Sequence, residues 1–163
     1  MIDLRTLTAH EILSLHTDIA DELARRKILR SSNNPTGGLA EHLFATTFGW
    51  KLETNSNTGY DATDANGTRF EIKCRRMTAS NTSRQLSALR NLPSKHFDYL
   101  AALLIDSRFK VLKAAFIPHE IVEHYSTYVK HDNKWNFLLK DSIWQINSVR
   151  DVTNELRKTE QAL

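Results

Sequence analysis

Two acids and one amine in this sequence have the residue types and spacing of a cation site. Asp61 precedes a turn sequence, DANG, at 64–67, and Glu71 and Lys73 follow it. An Asp at the first position and a Gly at the fourth favour a type I turn followed by a left-handed residue and a bulge. This register places Asp61 opposite Glu71 across a hairpin. Like charges there destabilise the pairing unless a cation compensates them.

The residues after the turn alternate between apolar and charged types, so the predicted strand has a core face and a chemical face. The two faces are Phe70, Ile72 and Cys74 against Glu71, Lys73 and Arg75. Two carboxylates with few other ligands suit Mg²⁺, with Mn²⁺ as a substitute, because Mg²⁺ keeps several waters and takes further ligands from substrate phosphate. The amine on the same face can orient a metal-bound water or balance charge at phosphorus. The single cysteine is expected to be a buried structural thiol.

The hairpin resembles the signature of the PD-(D/E)XK nuclease superfamily, which has the restriction endonuclease-like fold. The match is Asp61 followed by the segment EIK at 71–73, and Glu41 in GGLAEHLFA fits the acid that a preceding helix often supplies. Tyr60 replaces the proline of the pattern, a common loss in this superfamily. The resemblance covers residues 36–105 and implies a core of one helix, three antiparallel strands, a second helix and a further strand.

The resemblance also implies a role for each matching residue. Asp61 and Glu71 would bind Mg²⁺ together with the backbone carbonyl of Ile72, and Glu41 would hold a metal-bound water or a second ion. Lys73 would position the attacking water. In-line attack would expel the 3′ oxygen and leave a 5′ phosphate, so the expected activity is that of a metal-dependent endonuclease acting on DNA.

Basic residues are concentrated around this hairpin. Residues 65–97 contain seven basic residues and one acid, a net charge of +6, whereas the rest of the chain has 15 basic and 18 acidic residues. Guanidinium groups beside a cleavage site can hold phosphates, and an amide can read a base edge. The candidate nucleic-acid-binding residues are Arg75, Arg76, Arg84, Gln85 and Arg90. A solvated basic face is the alternative interpretation of this segment.

Periodicity predicts the elements that position these residues. A capping box at Thr8 and Glu11 opens an amphipathic helix, and the run FDYLAALLID is typical of a strand covered on both faces. The pattern predicts an α/β fold with a central mixed sheet flanked by helices. The expected helices are 8–29, 36–48, a short amphipathic helix at 83–91 that leads into a parallel strand, 118–125 and 149–158. The expected strands are 50–53, 60–64, 68–75, 98–105, 110–117 and 135–139.

The 163 residues suit one domain, with an N-terminal helix (1–30), a catalytic core (36–117) and a C-terminal extension (118–163). We find no apolar run of membrane-spanning length and no secretory signal, so a cytoplasmic protein is expected. One cysteine allows no internal disulfide. The expected partners are nucleic acid, most naturally DNA, and a second copy of the chain, because enzymes of this superfamily often cut two strands as homodimers.

Two other classes of function fit parts of the sequence. A non-cleaving nucleic-acid-binding or regulatory module could retain the fold and even the metal site, since a fold alone does not prove activity. A structural interaction protein would use the charged hairpin face as solvent-exposed or partner surface. The complete set of Glu41, Asp61, Glu71 and Lys73 favours the enzyme.

Overall fold

The computed structural model describes residues 2–30, 34–54 and 59–163. The chain forms strands β1 (Lys51–Leu52), β2 (Ala62–Thr63), β3 (Arg69–Arg76), β4 (Tyr99–Ile105), β5 (Val111–Pro118), β6 (Ser126–Val129), β7 (Lys134–Phe137) and β8 (Arg150–Asp151). The helices are α1 (Ala9–Arg25), α2 (Pro35–Phe48), α3 (His119–Tyr125) and α4 (Thr153–Gln161). Six strands form one mixed sheet in the order β1-β2-β3-β4-β5-β8, while β6 and β7 form a separate antiparallel ribbon. The predicted α/β class with helices flanking a mixed sheet is confirmed.

The hairpin between β2 and β3 has the predicted turn. The Gly67 N–H donates to the Asp64 carbonyl at 3.1 Å, and the Asp64 N–H donates to the Thr68 carbonyl at 3.1 Å. Gly67 has φ +81°, a left-handed conformation that costs glycine little because it has no Cβ. The turn sets the predicted pairs Ala62 with Phe70 and Thr63 with Arg69.

Strand β4 is the centre of the sheet, as its apolar run predicts. It runs parallel to β3 and antiparallel to β5, and residues 100–105 are almost completely buried. Its side chains alternate between two hydrophobic cores, with Ala101 and Leu103 in one and Leu100 and Ala102 in the other. The sheet is therefore a buried middle layer, consistent with a strand that is apolar on both faces.

Helices α2 and α4 cover the first core. Leu43 and Phe44 of α2 and Leu156 of α4 are fully buried there, and β8 adds a strand beside β5. The last part of the chain therefore completes the sheet and its core instead of forming an appendage to it. Helix α4 begins at Thr153, later than the predicted 149, and α1 ends at Arg25, earlier than the predicted 29.

The predicted helix at 83–91 is wrong, because this segment pairs with β7 and its flank. The Leu86 N–H donates to the Phe137 carbonyl at 3.0 Å, and Leu89 and Trp135 exchange two backbone hydrogen bonds of 3.0 and 2.8 Å. Both leucines are buried in the second core. The spacing of Leu86 and Leu89 therefore buries both side chains from an extended segment. The chain connects β3 to the parallel β4 without the predicted helix. The strand predicted at 135–139 is found as β7, whereas β6 has no counterpart in the prediction.

Among the residues that the structure describes, no helix has the length and apolarity needed to cross a membrane.

Candidate functional site

Asp61 lies immediately before β2 begins, where the edge of β3 becomes open. Its N–H donates to the Phe70 carbonyl at 2.8 Å, although Ala62 is the residue paired with Phe70 in the ladder. Asp61 and Ala62 thus both oppose Phe70, which is the arrangement of a β-bulge. The predicted direct pairing of Asp61 with Glu71 is therefore not formed. Instead, Asp61 Oδ2 accepts from the Ile72 N–H at 2.7 Å, the next N–H along the open edge.

Glu71 and Lys73 form an ion pair on the opposite side of β3 from the first core. Their parallel neighbours on β4 are Leu100 and Ala102, which belong to the second core, so only 16% of the Glu71 side chain and 19% of the Lys73 side chain are exposed. Burial raises the pKa of the Glu71 carboxyl, the Lys73 ammonium opposes this rise, and the charge of Asp61 adds to it. The two carboxylates are thus close enough to repel each other.

A cleft of about 510 Å³ opens at this edge of β3. We call it the hairpin cleft, and its lining residues are Asn34, Thr36, Gly37, Glu41, Asp61, Ile72, Lys73, Cys74, Arg75, Arg76, Asn81 and Ser87. Three of the four predicted catalytic residues line the cleft, and the fourth, Glu71, is bonded to one of them. The structure therefore brings three of the four predicted catalytic residues to one cleft and leaves Glu71 outside its lining.

Glu41 enters the cleft from α2, but it already has a cationic partner. Arg30 Nη1 donates to Glu41 Oε2 at 2.9 Å, and Arg30 Nη2 donates to the Glu53 carbonyl at 2.6 Å. The arginine thereby ties the segment before α2 to the segment after β1. The sequence analysis did not predict this contact. The two residues are eleven positions apart, and only Glu41 lies on α2, so no helical or strand periodicity connects them.

Arg75 and Arg76, two of the five predicted nucleic-acid-binding residues, line the cleft. Arg75 donates to the Ser83 carbonyl and to Asn81 Oδ1, each at 3.0 Å, and the Arg76 guanidinium lies 4.1 Å from the ring centroid of Phe109. These neutral partners orient the two side chains, and neither guanidinium has an acidic partner within residues 2–30, 34–54 and 59–163. Both guanidinium groups are thus suited to hold anionic oxygen atoms.

The other three predicted nucleic-acid-binding residues do not line the hairpin cleft. Arg84 Nη1 is paired with Asp141 Oδ1 at 2.9 Å, and Arg90 is exposed. Gln85 lines a separate cavity of about 350 Å³ beside β6 and β7. Residues 83–91 instead run extended beside β7, and of this segment only Ser87 lines the cleft.

The N-terminus of α2 faces the same cleft. Asn34 is the N-cap, and its Oδ1 accepts from the Thr36 N–H at 3.0 Å, while Thr36 and Gly37 line the cleft wall. The first turn of a helix carries unpaired N–H groups and the positive end of the helix dipole. This wall therefore attracts negative charge.

The donor set in the cleft fits a metal ion that needs few protein ligands. Among the described residues, no three His, Cys, Asp or Glu side chains converge to hold a metal ion. Mg²⁺ is commonly bound by one or two carboxylates with waters and substrate phosphate as the other ligands. Asp61 and Glu71 can supply the carboxylates. The Ile72 carbonyl can supply a third oxygen, since the N–H and the C=O of a strand residue face the same edge.

Cys74 also lines the cleft, where it is half-buried. Burial raises its pKa to about 12, so the nucleophilic thiolate is scarce at neutral pH. The side chain packs against the first core beside Ile72. The predicted structural role of this cysteine agrees with its surroundings.

No protein-family model matches the chain, and no curated protein sequence matches it.

Proposed function

We propose that the chain is a metal-dependent endonuclease of the PD-(D/E)XK kind that hydrolyses DNA at the hairpin cleft. The observation that carries this proposal is the convergence of Glu41, Asp61 and Lys73 on one cleft, with Glu71 joined to Lys73. A buried carboxylate beside a second carboxylate is costly without a compensating cation. A divalent ion would supply that compensation and leave the amine available to a substrate.

The order of elements supports a restriction endonuclease-like core. Helix α2 precedes three antiparallel strands, and β4 then adds parallel to β3. This is the order that the resemblance implies, apart from the second helix, whose place is taken by an extended segment. The acids also come from the expected elements, since Glu41 lies on α2 and Asp61 and Glu71 lie on the hairpin.

Each residue of the proposed site has a distinct chemical task. Asp61, Glu71 and the Ile72 carbonyl would hold Mg²⁺ or Mn²⁺, which when bound lowers the pKa of a coordinated water and neutralises phosphate charge. Lys73 would orient the attacking water and stabilise the negative charge that develops at phosphorus. Glu41 would release Arg30 to hold a further water or a second ion. In-line attack would leave a 5′ phosphate.

The walls of the cleft support a polyanionic substrate. Arg75 and Arg76 have no acidic partner among the described residues, and Thr36 and Gly37 at the N-terminus of α2 line the same space. Phosphates bind both kinds of group. DNA is the substrate that we propose, with phosphates held on both sides of the acids.

A second candidate function rests on the ion pairs within the site. Lys73 already neutralises Glu71, and Arg30 already neutralises Glu41. A chain that satisfies its acids in this way could bind nucleic acid through Arg75 and Arg76 without cleaving it. This alternative predicts DNA binding that does not depend on a divalent ion.

Plasmid nicking with Mg²⁺ or Mn²⁺ distinguishes these functions. We expect the wild type to convert supercoiled DNA to open circles only when the metal is present. We expect Lys73→Ala to reduce the rate at least about 100-fold, since the group that stabilises the transition state is lost. Lys158→Ala is the matched control, because Lys158 is an exposed lysine on α4 outside the cleft.

The enzyme proposal fails if the wild type binds the plasmid without nicking it, which is the result expected of the binding module. It also fails if nicking is equal in the wild type and Lys73→Ala, or if nicking persists in EDTA.

A further inference from the structure

Helix α1 is long and amphipathic, yet none of its residues is buried. Its Ile12, Leu15, Ile19 and Leu23 recur every three or four residues and form one stripe, the pattern of a helix that packs against something. Ile12 and Ile19 of this stripe are exposed, Ile19 by 52%, whereas Leu15 and Leu23 are half-buried. In the described chain the helix therefore presents an incompletely covered apolar face.

Exposed apolar side chains are concentrated in this region. Five of the ten large apolar side chains exposed in the described residues are in the first 19 positions, namely Ile2, Leu4, Ile12, Leu13 and Ile19. Single exposed apolar residues need no explanation, but a contiguous patch marks an interaction surface. Ile12 and Ile19 belong to the apolar stripe of α1, whereas Ile2 and Leu4 precede the helix and Leu13 lies beside the stripe.

The helix also needs external support to be stable. Its 17 residues include β-branched and short polar types, and helices of this length without packing are marginal in water. The capping box of Thr8 and Glu11 and the ion pairs of Glu22 with Arg25 and Arg26 add local stability. Each such local interaction is small. Most of the stability of a helix of this kind comes from burying its apolar face.

The charges of α1 and of the residues after it indicate what covers this face. Residues 9–24 contain four acids and no Lys or Arg, whereas residues 25–30 contain four basic residues. Two copies in parallel would place like charges side by side along their whole length. Two copies in antiparallel orientation would place Arg25 and Arg26 of each helix near Glu11 of the other. The basic end of a reversed second copy thus complements this acid.

The apolar stripe matches the same arrangement. An antiparallel pair centred between Thr17 and Asp18 places Ile12 of one helix at the level of Leu23 of the other. Leu15 and Ile19 then lie near the two-fold axis, so each apolar residue meets an apolar partner. We propose that α1 is the dimerisation element of this protein and pairs antiparallel with α1 of a second copy. The proposal does not depend on the catalytic site.

Sedimentation velocity across a range of concentrations tests the pairing. We expect the wild type to be a dimer and Ile19→Asp to raise the dimer dissociation constant at least about 100-fold, as loss of a central apolar contact does. Ser14→Asp is the matched control, because it adds the same charge at an exposed position on the opposite side of α1. A cooperative melting transition in Ile19→Asp shows that the core remains folded.

Cross-linking tests the orientation. Ile12→Cys and Leu23→Cys, each in a Cys74→Ala background, are mixed and treated with a short bismaleimide. We expect cross-links between the two variants and few within either one. A wild type that is monomeric throughout, a dimer unaffected by Ile19→Asp, or cross-linking within each variant instead of between them would each overturn the proposal.

Discussion

Asp61 combines a structural contact with a negative charge at the cleft. One of its oxygens accepts the Ile72 N–H at the open edge of β3. We predict that Asp61→Asn changes the free energy of unfolding by less than about 1 kcal/mol, because the Asn side-chain oxygen can accept the same hydrogen bond. Asp61→Ala, which removes the acceptor, should lower this free energy by about 1–3 kcal/mol. Urea denaturation of the two variants measures this difference, and equal losses would contradict it.

Arg75 and Arg84 form a matched pair of arginines for DNA binding. Arg75 lines the cleft beside neutral partners, whereas Arg84 is paired with Asp141. We predict that Arg75→Ala weakens DNA binding and reduces the slope of log affinity against log salt concentration by about 1, as expected for the loss of one phosphate contact. Arg84→Ala should leave the slope unchanged. Fluorescence anisotropy in Ca²⁺ or EDTA measures both, and a larger effect of Arg84 would contradict the proposed path of the DNA.

Gly59 and Gly37 differ in how much space their surroundings leave for a side chain. Gly59 has φ +76°, and a Cβ there would lie 2.6 Å from the His96 Cβ, whereas a Cβ at Gly37 in α2 meets nothing within 4 Å. We predict that Gly59→Ala lowers the free energy of unfolding by about 1–3 kcal/mol, from strain and the close contact. Gly37→Ala should raise it by about 0.5–1 kcal/mol, because alanine favours helix. Thermal unfolding of both variants tests this, and effects of the same sign would be inconsistent with it.

The hairpin could be predicted at the scale of the element because its determinants are local. The DANG turn fixes which residues of β2 and β3 pair, and the alternation of Phe70 and Ile72 with Glu71 and Lys73 fixes their faces. The bulge at Asp61 could not be read from the sequence, because it depends on how the preceding chain enters β2. Local patterns thus predicted the turn, the strand pairing and the two faces of β3, but not the partner of Asp61.

The structure of segment 83–91, in contrast, could not be predicted from local sequence. Leu86 and Leu89 have helical spacing, but their backbones pair with residues about fifty positions later in the chain. Pairing over such a separation overrides local preference. The same limit applies to Arg30 and Glu41, whose contact is made only once α2 has packed on the sheet. Because residues 83–91 are extended along β7, Arg84, Gln85 and Arg90 lie outside the lining of the hairpin cleft.

In the whole molecule, the two faces of the sheet pack in different hydrophobic cores. On one face α2 and α4 bury the first core, and on the other the second core surrounds the buried side of Glu71 and Lys73. The hairpin cleft lies at the edge of β3, where the cover of the sheet is incomplete. Helix α1 stands outside both cores. The site and the proposed dimer surface are therefore on different elements and can be altered independently.

The central claim is that the acids of the hairpin cleft bind a divalent cation. Binding of Mn²⁺, followed by electron paramagnetic resonance at neutral pH, tests it most directly in the wild type and in Asp61→Asn. The exposed Glu120→Gln on α3 serves as the control. The account predicts Mn²⁺ binding by the wild type and Glu120→Gln, and affinity at least about tenfold weaker in Asp61→Asn, because a charged ligand is lost. Equal binding by all three proteins, or no binding by the wild type, would contradict it.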